Sequence, residues 1–360
     1  MTNDALIFYC REGFEADTAE EAVRWLDARG IRAHGESRQG DAYAVLDLSR
    51  PVPFEKLRTL PFNDLIFARQ GAIAMRETIT LPQGKRAGPI AAAARMLATR
   101  FGLPAFQAVW LEYPDTNIGK ALSAAARRVT PFIEEDLRAG GLLKPDDARL
   151  PRLHVFLLPD SSARLACSYP GRSSDWPLGI PRLRMPGGAP SRSTLKFAEA
   201  IMAFLGDDAE RMLMPDMRAV DLGAAPGGWT WQLIHRGVRV TAVDNANLRG
   251  ELVDNALVKH LRSDGFHYEP KRPVDWLVCD MLEKPSRIAA LIAQWMGNGW
   301  AQRAIFNLKL PMKKRLDEVE RCREIVDEGL RNRSSHPTLR FKHLYHDREE
   351  VTAYCSVLRR

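Results

Sequence analysis

The sequence lacks the features of secreted, membrane-spanning and metal-centred proteins. Its 360 residues hold five cysteines, Cys10, Cys167, Cys279, Cys322 and Cys355, odd in number and widely spaced. There is no CxxC pair and no Cys/His cluster. A disulfide framework and a structural zinc site are thereby excluded, and a reducing cytoplasm is expected. No stretch approaches the ~18 uninterrupted apolar residues of a membrane helix. The start, Met1-Thr2-Asn3-Asp4, carries an acid and no basic run, so no secretory signal is expected. Internal repeats and low-complexity tracts are absent.

What is present is ordinary for a globular protein: 45% hydrophobic and 27% charged residues, which exclude disorder as the main state. At roughly 150 residues per domain the length suggests two or three domains. Lys plus Arg number 52 against 45 Asp plus Glu, a net charge of +7. This mild excess permits a polyanionic partner without requiring one.

A boundary is expected between Pro170 and Ser193, where Pro170, Pro177, Pro181, Pro186 and Pro190 gather with four glycines. Residues 170–192 are predicted to be a linker. Its Arg182, Arg184 and Arg192 suit either a solvated segment or a basic strap over RNA. Before it, short elements alternate. Strands are expected at Ala5–Cys10, Ala42–Leu48, Asp64–Arg69, Ala105–Tyr113, Arg152–Pro159 and Ala163–Tyr169. Helices are expected at Thr18–Gly30, Pro89–Arg100 and Lys120–Ala139. The sum is an α+β region without catalytic spacing, suited to binding or positioning.

After the linker, strands alternate with helices. Strands are expected at Ala219–Leu222, Val238–Val243, Trp276–Cys279 and Ala304–Leu308. Helices should begin near Trp229, Leu252, Ser286 and Leu316, and a hairpin of Leu339–Tyr345 and Val351–Leu358 should close the chain. Such alternation predicts a doubly wound parallel sheet, whose ligands bind at the carboxyl ends of the strands.

The residues with chemistry fall at those ends. The first strand runs into Asp221-Leu222-Gly223-Ala224-Ala225-Pro226-Gly227-Gly228-Trp229. Small residues let the backbone approach a ligand, but Ala225 breaks the dinucleotide fingerprint and Asp221 would repel a pyrophosphate. S-adenosyl-L-methionine, with an amino group, a sulfonium and no phosphate, suits the turn better. Asp244, ending the second strand, could accept from both ribose hydroxyls. Asp264 could accept from an adenine amine or merely form an Asp-Gly turn. Ser193 is a candidate helix N-cap. It would place Lys196 in the first turn, the wrong end of the helix dipole for a cation.

Asp280 and Lys309 end the third and fourth strands, and Glu350 begins the last. Each alone has a bland structural explanation. Together they would surround one crevice. Methylating a ribose hydroxyl requires removal of its proton, and a lysine acting as base needs its pKa lowered from about 10.4. A second lysine would lower it and two carboxylates would raise it, so the net direction stays open at this level. No metal is needed, because a sulfonium is already an activated donor.

Asp221–Trp229 with Lys196, Asp280, Lys309 and Glu350 in that order resembles the K-D-K-E ribose 2′-O-methyltransferases of the Rossmann class. Longer strings sharpen the likeness: Ser191–Lys196, Val278–Met281 with Glu283-Lys284-Pro285, Phe306–Arg315 and Leu344–Thr352 look like the RlmM family. That family methylates a cytidine 2′-hydroxyl in large-subunit ribosomal RNA. The resemblance is strong from about Gly179 to Thr352. Before Arg152 it is mostly one of length and layout, with Cys10–Glu15 the best local match.

The resemblance implies Lys309 as proton acceptor, with Lys196, Asp280 and Glu350 completing a tetrad. It implies cofactor contacts from Ser193, Asp221, Gly223, Ala225, Pro226, Gly227, Gly228, Asp244, Asp264 and Asp280. It also implies a ferredoxin-like piece over 1–70, a THUMP-like RNA-binding domain over 71–169 and a Rossmann-like methyltransferase domain over 193–360 with a terminal hairpin. Ala225 departs from the nearest relatives, which carry cysteine there. Glu349 and Glu350 are adjacent, and strand alternation can send only one into the site; Glu350 directly precedes the Val351 strand. Arg182, Arg184, Arg192, Lys313, Lys314 and Arg315 are candidate RNA contacts, as are Arg127 and Arg128. The expected partner is ribosomal RNA rather than DNA or membrane, for a cytoplasmic monomer. The rivals are an NAD-dependent oxidoreductase and an inert RNA-binding assembly factor.

Overall fold

A computed structural model describes residues 4–331, 333 and 337–357. Contacts divide the chain into Met1–Pro181 and Arg182–Arg360.

The first unit is one mixed sheet with helices packed on it. Its elements are β1 (Ala5–Tyr9), α1 (Glu15–Asp27), β2 (Ala33–Ser37), β3 (Tyr43–Leu48), α2 (Phe54–Leu57), β4 (Gln70–Thr80), α3 (Ala87–Phe101), β5 (Ala108–Glu112), α4 (Asn117–Lys120), α5 (Ser123–Ala139), β6 (Arg152–Leu157) and β7 (Ser162–Ser168). The strand order is β2-β3-β1-β4-β7-β6-β5. The half up to residue 70 and the half from 71 are therefore not separate sheets. The long strand β4 pairs with β1 through residues 70–74 and with β7 as far as Thr80, across a register shift between Ala74 and Thr78.

Three local expectations are corrected here. Thr18 does not start α1: its hydroxyl donates to Phe14 O inside the helix (2.8 Å), and the helix begins at Glu15. That buried carboxylate accepts from the amides of Gly13, Gly40 and Ala42. Asp64–Arg69 is not a strand. The Glu21 carboxylate takes the amides of Ile66 (2.5 Å) and Phe67 (2.9 Å), so these cannot join a ladder, which begins only at Gln70. Finally, the expected linker 170–192 is divided. Its first part is bonded into the first unit: Ser173 Oγ donates to Gly71 O (2.6 Å), Arg152 Nη1 to Ser174 O (2.8 Å), and the Leu178 amide to Glu112 Oε1 (2.5 Å).

The second unit comprises α6 (Ser193–Leu205), α7 (Ala209–Met212), β8 (Arg218–Leu222), α8 (Gly228–Ile234), β9 (Arg239–Val243), β10 (Val258–Leu261), β11 (Val274–Cys279), α9 (Pro285–Gly297), β12 (Ala301–Lys309), α10 (Arg315–Leu330), β13 (Thr338–Lys342) and β14 (Glu350–Ser356). The order is β10-β9-β8-β11-β12-β14-β13. The first five strands run parallel, and β14 joins β12 antiparallel with β13 outside it. This is a Rossmann-like sheet with a terminal hairpin; its inner strands β8, β11, β12 and β14 are mostly buried because both faces are covered, while the edge strands β10 and β13 are mostly half-buried. The direction of winding reverses between β8 and β11, where such sheets bind ligands. The helix expected near Leu252 is only a short turn, Gly250–Leu252, and β10 follows it. Leu358, the expected end of the last strand, lies outside the described residues.

Candidate active site

The loop after β8 enters α8 through a left-handed Gly223 (φ 74°), a cis Ala225–Pro226 bond and Gly227 (φ 114°). A Cβ at Gly228 would stand 2.1 Å from Ser193 Oγ and 2.7 Å from Ser191 Oγ, so only glycine lets α6 and this loop meet. Between them lies a cavity of about 320 Å³ lined by Ser191, Ser193, Asp221, Gly223, Ala225 and Asp280 among others. Asp221 is buried. Its Oδ2 accepts from Thr230 Oγ1 (2.6 Å), while Oδ1 has no hydrogen-bond partner among the described residues. Burial lifts its carboxyl to about 7. An unsatisfied buried acceptor fits a donor-bearing cationic ligand, such as the amino group of S-adenosyl-L-methionine, and does not fit a phosphate.

Ser193 does not cap α6. Arg192 occupies the cap position, and Ser193 Oγ lies 2.7 Å from Ser191 Oγ. Asp244 ties the loop to its own turn: Oδ2 accepts from the Ala225 amide (2.9 Å) and Oδ1 from the Ala246 amide two residues on (2.7 Å). Asp264 is exposed and forms a turn, accepting from the Phe266 amide and pairing with His267.

Beside the cavity, four charged side chains converge. Lys196 is the fourth residue of α6. Its Nζ lies 2.5 Å from Glu350 Oε1 and 3.4 Å from Asp280 Oδ2. Lys309 Nζ donates to Asp280 Oδ1 (2.9 Å) and to Glu350 Oε2. The register explains the meeting, since Lys309 lies directly opposite Glu350 across β12 and β14. Glu349 turns outward and binds Arg315. The Lys309 side chain is 24% exposed against 9% for Lys196, 16% for Asp280 and 10% for Glu350. It is the cluster's most accessible group.

The electrostatics settle what composition left open. Burial pushes Lys309 down, but Asp280 and Glu350 outweigh it and hold the ammonium above the ordinary lysine range. Burial pushes Asp280 up; Lys196 and Lys309 together overcome this and keep it below the usual carboxylate value.

Sequence reading missed a supporting row. Asn307 Nδ2 donates to Asp280 Oδ1 (2.8 Å), and Thr352 Oγ1 lies 2.8 Å from Asn307 Oδ1 and 3.0 Å from Asp347 Oδ2. Burial drives Asp347 well above the usual carboxylate range, with Glu350 adding to the effect. Asn307 and Thr352 stand two residues from Lys309 and Glu350, on the same strand faces and opposite one another. Stepping by two from the charged pair would have found them. Among the candidate RNA contacts, Arg182, Arg184, Arg192, Lys313 and Lys314 are exposed, as are Arg127 and Arg128 in the first unit. Arg315 is held by Glu349 and is only 12% exposed. No metal-binding group of three or more His, Cys, Asp or Glu occurs among the described residues, and no helix there is long and apolar enough to cross a membrane.

Comparison with known proteins fits this geometry. An FtsJ-like methyltransferase model matches residues 189–310, and an RlmM ferredoxin-like domain matches 3–72. A model of the N-terminal region of ribosomal RNA large subunit methyltransferase M matches 85–169. The protein of that name from Methylococcus capsulatus is 47% identical over 98% of both chains. Its namesake from Aromatoleum aromaticum is 45% identical over 99% of this chain and 96% of its own. The chain belongs to the RlmM family. The three family matches together span the RlmM layout from residue 3 to residue 310. A solved fibrillarin from Aeropyrum pernix with bound S-adenosyl-L-methionine aligns at TM-score 0.35 and 13% identity over 56% of this chain and 81% of that one, too remote to carry an argument.

Proposed function

We propose that this RlmM-family methyltransferase methylates the 2′-hydroxyl of a cytidine ribose in large-subunit ribosomal RNA, with S-adenosyl-L-methionine as donor. The observation that carries this reading is the meeting of Lys196, Asp280, Lys309 and Glu350 beside the Asp221 cavity. The donor, when bound, supplies a methyl carbon made electrophilic by a sulfonium. Asp221 would accept from its amino group, and the Gly223–Gly228 loop would hold it against α6. Lys309 reaches outward to the ribose. With the donor bound, the 2′-oxygen would take the methyl group, the carbon–sulfur pair would leave with sulfur, and the hydroxyl proton would pass to Lys309 Nζ. Lys196 and Asp280 fix Lys309 and Glu350 in place. In-line positioning supplies most of the acceleration. The exposed arginines and lysines of the second unit meet RNA phosphates, the first unit is an RNA-binding module, and the protein acts as a cytoplasmic monomer.

Lys309 must be neutral to accept that proton, and its carboxylate partners keep it charged. Below its raised pKa the neutral fraction grows tenfold per pH unit, so the single-turnover rate should rise about tenfold from pH 7 to pH 8 and again to pH 9. A flat profile means the proton leaves by another route. The defining test is methyl transfer from labelled S-adenosyl-L-methionine to unmodified large-subunit ribosomal RNA. Wild type should place label in one alkali-resistant dinucleotide. Lys309→Ala should lose transfer by at least a thousandfold while still binding the donor. Label on a base overturns the tetrad's role, and bound donor without transfer favours an inert assembly factor.

A further inference from the structure

Two apolar side chains that follow the tetrad strands closely in sequence are almost fully exposed. Leu282 is 88% and Met312 87% exposed, the two highest values among large apolar residues of the described chain; Ile118 follows at 70%. Neither is far from the chemistry. Leu282 is two residues beyond Asp280 and Met312 three beyond Lys309. Their strands, β11 and β12, are parallel neighbours with Cys279 opposite Phe306, so both loops leave the same end of the sheet side by side. Burying a side chain of this size is favourable, a gain the free protein forgoes at both positions.

The surroundings identify what would cover them. Lys284, Lys313 and Lys314 are exposed on the same two loops. Lys314 is held left-handed (φ 55°, ψ 43°) at the start of α10, where a non-glycine backbone is strained and the helix dipole disfavours a cation. Strain of this kind gathers at ligand-binding segments. Glu283, the acid between Leu282 and Lys284, is paired with Arg287, and apolar side chains sharing their loops with exposed cations match a nucleobase flanked by its phosphates. They do not match a lipid surface, which would ask for a broad apolar face, nor a basic protein patch.

We propose that Leu282 and Met312 form an apolar clamp on the base of the target nucleotide, holding it out of the RNA stack while Lys309 meets its ribose; this rests on the ribose-methyltransferase reading above. Extruding a base costs a few kcal/mol, and contact with its faces offsets that cost. Leucine cannot hydrogen-bond and the methionine thioether accepts only weakly, so the clamp grips any base, and sequence choice is made elsewhere.

The test uses the full chain with Leu282→Ala, Met312→Ala and the double variant. Both positions are exposed, so the unfolding midpoint should match wild type. At saturating unmodified large-subunit ribosomal RNA, the double variant should transfer methyl at least tenfold more slowly in a single turnover, with donor affinity unchanged. Binding of oligocytidylate should weaken without a change in the slope of log K against log salt, because no phosphate contact is lost. Lys313→Ala, by contrast, should reduce that slope by about 0.7. Met312→Leu should restore the rate and Met312→Gln should not, which separates apolar contact from mere bulk. If wild type does not methylate ribose, the functional reading fails. If wild type does and the double variant keeps its rate, the clamp is overturned.

Discussion

Asp221 shows how far a single residue's chemistry depends on its surroundings. In the sequence it is an acid before a glycine-rich turn. In the structure it is 1% exposed, with one oxygen bonded to Thr230 and the other unsatisfied. Burial puts its folded pKa near 7, whereas an unfolded aspartate titrates near 3.9. Between these values the folded state binds more protons than the unfolded state. Stability therefore falls as pH rises from about 4 to about 7, by as much as about 4 kcal/mol at 1.36 kcal/mol per unit. Asp221→Asn removes the titration. In the absence of donor, wild type should lose much more stability between pH 5 and pH 8 than the variant, as chemical unfolding at both pH values would show. Equal losses would mean that Asp221 is ionised in the free protein. The residue types of the site, one lysine in the first turn of a helix and one lysine with three acids at or near strand ends, were legible from sequence. The direction of the Lys309 shift was not, because it depends on distances of 2.9 Å and less that spacing along the chain does not encode.

At the level of elements, the packing of α8 on α6 is the joint that shapes the cavity. Gly228→Ala would put a methyl group 2.1 Å from Ser193 Oγ, with Ser191 Oγ and the Thr194 amide at 2.7 Å. Two of those atoms lie on α6 itself and cannot all retreat. We expect the variant to lose at least tenfold in donor affinity, with a lower unfolding temperature. Gly187→Ala, with open space around its Cβ, should change neither. Calorimetric titration of both variants checks this, and unchanged affinity in Gly228→Ala would show that the loop can move away from α6. Which elements were legible follows from how each is stabilised. The buried strands of the second unit announce themselves as apolar runs. β2, Ala-His-Gly-Glu-Ser, has no apolar alternation and exists because β3 pairs with it. Residues 64–69 are apolar enough for a strand, yet a distant glutamate takes two of their amides. The contact boundary at Pro181 falls inside the expected 170–192 stretch, but prolines and glycines signal only irregular backbone and cannot show that Ser173, Ser174 and Leu178 bond into the first unit.

Across the whole molecule, the net charge of +7 acquires meaning from where its cations stand. Many arginines are consumed in pairs: Arg152 with Asp175, Arg239 with Asp216, Arg315 with Glu349. Arg182, Arg184, Arg192, Lys313 and Lys314 are exposed and cluster in sequence around α6 and the end of β12, the two elements that carry the tetrad lysines. Five phosphate contacts on single-stranded RNA would give log K a slope of about −3.5 against log salt. Raising salt from about 50 to 200 mM should then weaken RNA binding roughly a hundredfold. Donor binding should respond quite differently. With the donor's amino group against buried Asp221, as proposed, screening acts weakly, so its affinity should change less than about threefold over the same range. Titrating both ligands at the two salt concentrations separates the electrostatic surface from the buried site. Parallel losses would mean that the donor, too, is held by exposed charge, and the cavity beside Asp221 would no longer be its place.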